Sequence, residues 1–250
     1  MKLLRAWLTL VWLSFARLLW STATLVVCAA LAFCALYILR SGYDSAPDLG
    51  RSFENFSAFI MTIYLSAVVP LSALAFGTSA MGNDREDRTL LFVLMRPIPP
   101  ALVLLARWVA ALPLGLGVTV ASFGAYCWLA GEVGALAWRL YLPAVFWTMF
   151  AYLGLFHLLA VLFRHATIVA IAYTIFIEII LGSMPGIVKR VAVNYYGKSL
   201  MFTAGAAEGL QPPDARTFEL LASSTAEWVL VGIGLGSLAI AAVIFTRREY

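Results

Sequence analysis

Two ionisable side chains lie deep inside apolar runs of this sequence: Glu178, within IVAIAYTIFIEIILGSM, and His157, within YLGLFHLLAVL. An acid in such surroundings is costly, so it marks either a site for a proton or cation or a carboxyl kept protonated by a hydrogen bond between helices. Glu178 has no Lys, Arg or Asp beside it in its own run. His157 is the only other deep ionisable group and could pair with it, so Glu178 and His157 form one candidate intramembrane polar site. His165, beside Arg164 in a short connection, reads as a membrane-surface residue.

Other reactive patterns carry less. The segment A-V-N-Y-Y-G-K-S, residues 192–199, ends like a phosphate-binding loop but has Ala where the first Gly is required, and it follows no strand. It lacks the turn that lets backbone N–H groups cradle a phosphate. Cys28, Cys34 and Cys127 all sit in apolar runs with no metal-binding spacing, and read as small core or lipid-facing residues. The chain is therefore expected to catalyse no covalent chemistry and to bind no nucleotide, metal or cofactor itself. Its densest charge is a different matter: Asp84, Arg85, Glu86, Asp87, Arg88 and Arg96 crowd into residues 84–96.

The frame holding these residues follows from composition. Of 250 residues, 63% are hydrophobic and 12% are charged, with 17 basic and 13 acidic side chains. Soluble domains average about 45–50% apolar and about 25% charged. With a mean hydropathy of +0.92, the chain has too little charge to wet a globular surface. A soluble enzyme, a disordered chain and a nucleic-acid binder are excluded despite the basic balance, which leaves an all-α integral membrane protein.

About 20 apolar residues make a span, and six runs qualify: 18–39, 56–81, 101–130, 140–163, 166–184 and 228–246. The first is too long for a signal-peptide core and no cleavage-like site follows it. Alternating the connections puts ten Lys and Arg on one side and seven on the other, four of those seven in the long loop 185–227. The positive-inside rule then places both termini in the cytoplasm of a plasma membrane, taken as a bacterial inner membrane. Arg107, near the start of the third run, can extend its stem back to the interface. Residues 2–16, with Lys2, Arg5 and Thr9 on one stripe and Leu and Trp elsewhere, read as an interfacial helix, although no Pro or Gly separates it from the first span. The whole, 1–250, reads as one membrane domain.

Between spans two and three the sequence is GNDREDRTLLFVLMRPIPP. Gly82 is expected to end one helix and Asn83 to cap the next, with Glu86 completing a capping box. Acids in the first turn suit the helix dipole, Leu90, Leu91, Leu94 and Met95 form an apolar stripe, and Pro97, Pro99 and Pro100 stop it. A short charged helix at about 84–96 is therefore expected.

This stretch resembles the corresponding loop of ABC-2 type transporter permeases. D-R-E-D-R-T-L from Asp84, then L-M-R-P-I from Leu94, are similar to that family's E-R-E-x-G-T-L and L-L-S-R-P-I-S-R. Arg88 replaces the family's usual Gly, and Pro100 stands where a basic residue is common. The basic amphipathic N-terminus, the six spans and the long loop before the last span fit the same family. The resemblance is closest to its compact six-span group, which includes the permease of nitrous-oxide-reductase maturation. It implies that the helix at 84–96 is a coupling helix docking on a separate cytoplasmic ATPase, with Asp84, Arg85, Glu86, Asp87, Arg88 and Arg96 at the interface. It implies a second permease copy or a sister permease, ATP and Mg bound by the partner ATPase, and export. No nucleic acid is expected as a partner; the lipid bilayer is.

Two other classes remain open on the residues alone: a secondary transporter driven by an ion gradient through Glu178, and a non-transporting membrane assembly scaffold. Gly232 and Gly236 form a GxxxG pattern, with Gly234 between them, that suits helix packing within the chain or against another copy. In the long loop, residues 187–202 are expected to form a short helix on or in the outer leaflet. Asn55-Phe-Ser57 is a formal glycosylation sequon in an expected outer loop.

Overall fold

The computed structural model describes residues 2–42, 49–86, 99–184, 186–210 and 221–247, and everything described is helical or connection. Helix α1 (Lys2–Leu19) is followed by α2 (Thr22–Ser41). No Pro or Gly is needed for the break between them. Ser21 takes an extended conformation, accepts the Thr24 N–H at 3.3 Å, and starts a new helix. The Thr24 hydroxyl donates back to the Leu18 carbonyl at 2.6 Å, fastening the elbow. The helix expected over residues 2–16 is thus separate from α2, and it runs to Leu19. Its Trp7 indole donates to the Leu102 carbonyl at 2.9 Å, laying α1 against the start of α5 (Pro100–Leu129).

The second long element is continuous from Leu49 to Glu86: α3 (Leu49–Phe59), a π-helical segment (Ile60–Val68) and α4 (Val69–Glu86). The wide turns end at Pro70, which has no N–H to give; the Val69 N–H reaches the Tyr64 carbonyl instead. This element starts earlier than the expected span at 56, because Arg51 and Glu54 sit on a helical face and break only the apolar run, not the helix. The sequon lies inside α3, where buried Ser57 is hydrogen-bonded to the Tyr141 hydroxyl at 2.9 Å. At its other end α4 runs unbroken through Gly82 and Asn83, so neither the expected helix end nor the Asn83 cap occurs there. A helical Gly costs only about 1 kcal/mol, which a long helix tolerates.

Helix α5 follows Pro99 at its N-cap and opens with Pro100 at its first position, where no intrahelical N–H is required. It turns through Ala130 into α6 (Gly131–Leu162), so the nine-residue connection expected before residue 140 is instead the first turns of α6. The turn needs glycine twice. Gly131 has φ 62°, and a β-carbon on Gly134 would collide with the Cys127 carbonyl. Helix α6 is the hub, packing against α4, α5, α8 (Val193–Ala207) and α9 (Ser223–Arg247).

After α6 comes α7 (Ala166–Tyr173), continued by a second π-helical segment (Thr174–Leu181). Among the described residues five helices are long and apolar enough to cross a membrane, and Ala166–Leu181 is shorter than the other five. At about 1.5 Å per residue it covers about 24 Å of a core about 30 Å thick. The expectation of six full-length spans is corrected to five long helices and this shorter sixth run. The ends of the chain nevertheless lie together. Trp7 meets Leu102, while Phe245 of α9 clusters with Leu104, Ala160 and Ala166. Helix α1 and the last turns of α9 therefore meet the same end of the bundle, and Ala166–Leu181 leads away from it.

In the long connection before α9, the described residues 186–210 are mostly helical and partly buried rather than a surface loop. A 3-10 turn (Ile187–Val191) leads into α8, whose Val193, Asn194, Tyr195, Gly197, Ser199, Leu200, Met201 and Phe202 are buried in the bundle. Gly197 allows the contact, since a β-carbon there would strike the Thr148 hydroxyl of α6. Helix α6 also meets α9 at glycine: Gly154 abuts the Gly234 backbone, and a β-carbon on Gly234 would lie 2.7 Å from the Phe150 ring. Gly232 and Gly236 have nothing within 4 Å of such a β-carbon, so the close approach belongs to the residue between them.

Candidate functional site

Glu178 lies on the second π-helical segment and is 1% exposed. Its carboxylate meets the start of α8. Val193 donates its N–H to Oε1 at 3.0 Å and Asn194 donates its N–H to Oε2 at 3.0 Å. The Tyr173 hydroxyl donates to Oε1 at 2.8 Å, and the Asn194 side-chain amide donates to the Glu178 carbonyl at 3.0 Å. Helix α8 has Ala192 at its N-cap, which offers no side-chain acceptor. Glu178 supplies that acceptor from another helix, satisfying two of the N–H groups every helix start leaves open and facing the positive end of the helix dipole.

The joint is built by both π-helical segments, which pack against each other, with α8 packed on the first. Buried Tyr152 of α6 stands beside the Glu178 carboxylate without hydrogen-bond geometry, stacked on Phe156. From the other side, the Lys189 ammonium lies 5.8 Å from the centre of the Tyr195 ring, and the Tyr196 hydroxyl donates to the Arg190 carbonyl at 2.9 Å. Ser199 then ties α8 to the approach of α9, accepting the Leu221 N–H at 3.0 Å and donating to its carbonyl at 3.2 Å. The G-K-S stretch is thus an ordinary part of a buried helix.

His157 is elsewhere. It is fully buried on α6 beside Arg107 of α5, near the backbone of Leu104 and of Gly77, and neither ring nitrogen has a hydrogen-bond partner. Glu178 and His157 are therefore not a hydrogen-bonded pair. Arg107 is 5% exposed, packed inside the bundle rather than stretched to the surface. Of the cysteines, Cys34 and Cys127 are buried and Cys28 is exposed on the outer face of α2.

Of the charged group at the far end, Asp84, Arg85 and Glu86 occupy the last turn of α4 as backbone. Asp87, Arg88 and Arg96 lie outside the described residues, as does most of the expected helix 84–96. Asn194, Tyr173 and Tyr152 were not singled out in the sequence. The one available signal was the mismatch between a buried acid and a helix start without a capping side chain.

In comparison with known proteins, the chain matches no family profile and no curated protein sequence. What its structure establishes is the class: an all-α membrane protein with several long apolar helices.

Proposed function

We propose that this chain is the membrane-spanning permease subunit of an ABC-2 type ATP-driven exporter, working as a pair of permeases with separate ATPase subunits. The observation that carries the reading is the unbroken helix from Leu49 to Glu86. It packs in the middle of the bundle against α5 and α6 and ends in the most charged stretch of the sequence. A rigid helix joining a packed core to a charged end is suited to carry a docking movement into the bundle. The resemblance of residues 84–98 to the coupling loop of that family adds the partner: an ATPase that holds ATP and Mg. In this reading both chain ends face the cytoplasm of a bacterial inner membrane, with Asp84, Arg85, Glu86, Asp87, Arg88 and Arg96 toward the ATPase.

The rival in which an ion gradient drives transport through Glu178 has less support, because that carboxylate is engaged by three donors at the start of a helix. A scaffold without an ATPase is the remaining rival. Co-purification from membranes separates them. The chain carrying Glu86→Lys and Arg88→Glu should lose an ATPase that the unmodified chain retains. Retention by both, or by neither, counts against the reading.

A further inference from the structure

A cleft of about 350 Å³ opens between α2, α4 and α7. Its lining changes along its length. Thr22, Thr78, Ser79 and Thr167 gather at the end where α1 bends into α2. There the Thr167 hydroxyl lies 3.5 Å from that of Thr78, which donates to the Leu74 carbonyl at 2.7 Å. Farther in, the walls are Val26, Ala30, Leu71, Ala75 and Ile171, with Ser72 beside Leu71 donating its hydroxyl to the Val68 carbonyl at 2.8 Å.

The depth matches a lipid monolayer. From Thr22 to Ala30 a helix rises about 12 Å, close to half of a hydrocarbon core about 30 Å thick. The volume is at the low end of small-molecule sites, about 300–1,000 Å³, which suits one chain rather than a bulky ring system. Just outside the hydroxyl end, Arg164 and His165 are exposed immediately before α7, and Trp20 at the α1–α2 elbow is 88% exposed. Aromatic and basic groups at that depth are where a membrane protein meets headgroups. The order from surface to midplane is therefore base, hydroxyl, hydrocarbon, the order of phosphate, ester and acyl chain in a phospholipid.

We propose that this cleft is a binding site for a bilayer phospholipid of the leaflet on the α1 side. One acyl chain lies between α2, α4 and α7, the ester region is at the hydroxyls, and an anionic phosphate is near Arg164. The lipid closes the gap that α2 leaves, since α2 buries only Thr24, Val27, Cys34 and Ile38.

The test uses the full chain in phosphatidylethanolamine nanodiscs doped with phosphatidylglycerol bearing a photoreactive group on its acyl chain. Adducts should concentrate on Val26, Leu71 and Ile171 over the lipid-facing residues Leu235, Ile240 and Val243 of α9. Ala75→Phe should fill the cleft and lower those adducts several-fold without changing α9 labelling. Ala30→Phe, on the exposed wall, should do the same and serves if the first variant does not insert. Equal labelling of cleft and α9, or labelling indifferent to both variants, overturns the site. Photoreactive phosphatidylcholine should label the cleft less than phosphatidylglycerol, and Arg164→Gln should erase that difference. Equal labelling by both lipids in the unmodified chain overturns the headgroup assignment.

Discussion

Glu178 and His157 are both shut inside the same bundle, yet Glu178 collects three hydrogen bonds on its carboxylate and His157 has none on either ring nitrogen. Their burial is nearly the same; their neighbours are not. Glu178 meets a helix start whose own N-cap residue is alanine, so two backbone N–H groups need an acceptor that only it provides. His157 sits where α4 and α5 press on α6, beside a buried arginine and close to the backbone of Leu104 and Gly77, with neither ring nitrogen in hydrogen-bond geometry. A buried ionisable group is thus a fastener where another element arrives with complementary groups, and a tolerated cost where none does.

The largest effect should come from removing the better-connected group. Glu178→Ala strips an acceptor from two backbone N–H groups and the Tyr173 hydroxyl, at a cost of about 3 kcal/mol. Thermal unfolding in detergent should shift down, and protease should cut faster within residues 187–207. Glu178→Gln, which keeps one acceptor oxygen, should lose about half as much. An unchanged unfolding midpoint for the alanine variant would remove the distinction between the two sites.

A second contrast lies along α9. Gly234→Ala puts a methyl against Phe150 and should cost about 2 kcal/mol. Gly232→Ala and Gly236→Ala, which meet nothing, should stay within about 0.5 kcal/mol in the same melts. Similar losses at all three would place another surface against the GxxxG face.

Smaller still is Tyr64→Phe. The phenol donates to the Thr119 carbonyl at 2.6 Å and is 2.9 Å from the Ser122 hydroxyl, joining the first π-helical segment to α5. Its loss should cost about 1 kcal/mol. The smallest change should be His157→Leu, within about 1 kcal/mol in either direction, because no hydrogen bond is surrendered. A loss as large as that of Glu178→Ala would show that His157 has a partner.

Apolar content revealed the helices that face lipid but misplaced ends where charge sits on an outward face. Arg51 and Glu54 hid the start of α3, and Arg139 hid the first turns of α6. Ser21, a good N-cap, was the readable mark of the α1–α2 elbow. Of the π-helical segments, Pro70 marks the end of the first, but no residue of comparable kind marks the second at Thr174–Leu181. Glu178 stands out as a buried acid, but two of its three donors lie 15 and 16 residues farther on, in a segment that reads as an outer loop. Gly232 and Gly236 matched a packing pattern, yet the rotation of α9 turned Gly234 toward α6, and sequence does not set that rotation.

The central claim is that the charged end of the Leu49–Glu86 helix couples this bundle to an ATPase. ATP hydrolysis by an ATPase that co-purifies with this chain, reconstituted with the chain in nanodiscs, tests it most directly. The unmodified chain should raise the hydrolysis rate above that of the ATPase alone, and Glu86→Lys with Arg88→Glu should abolish the increase. Equal stimulation by both proteins, or none by the unmodified chain, would contradict the account.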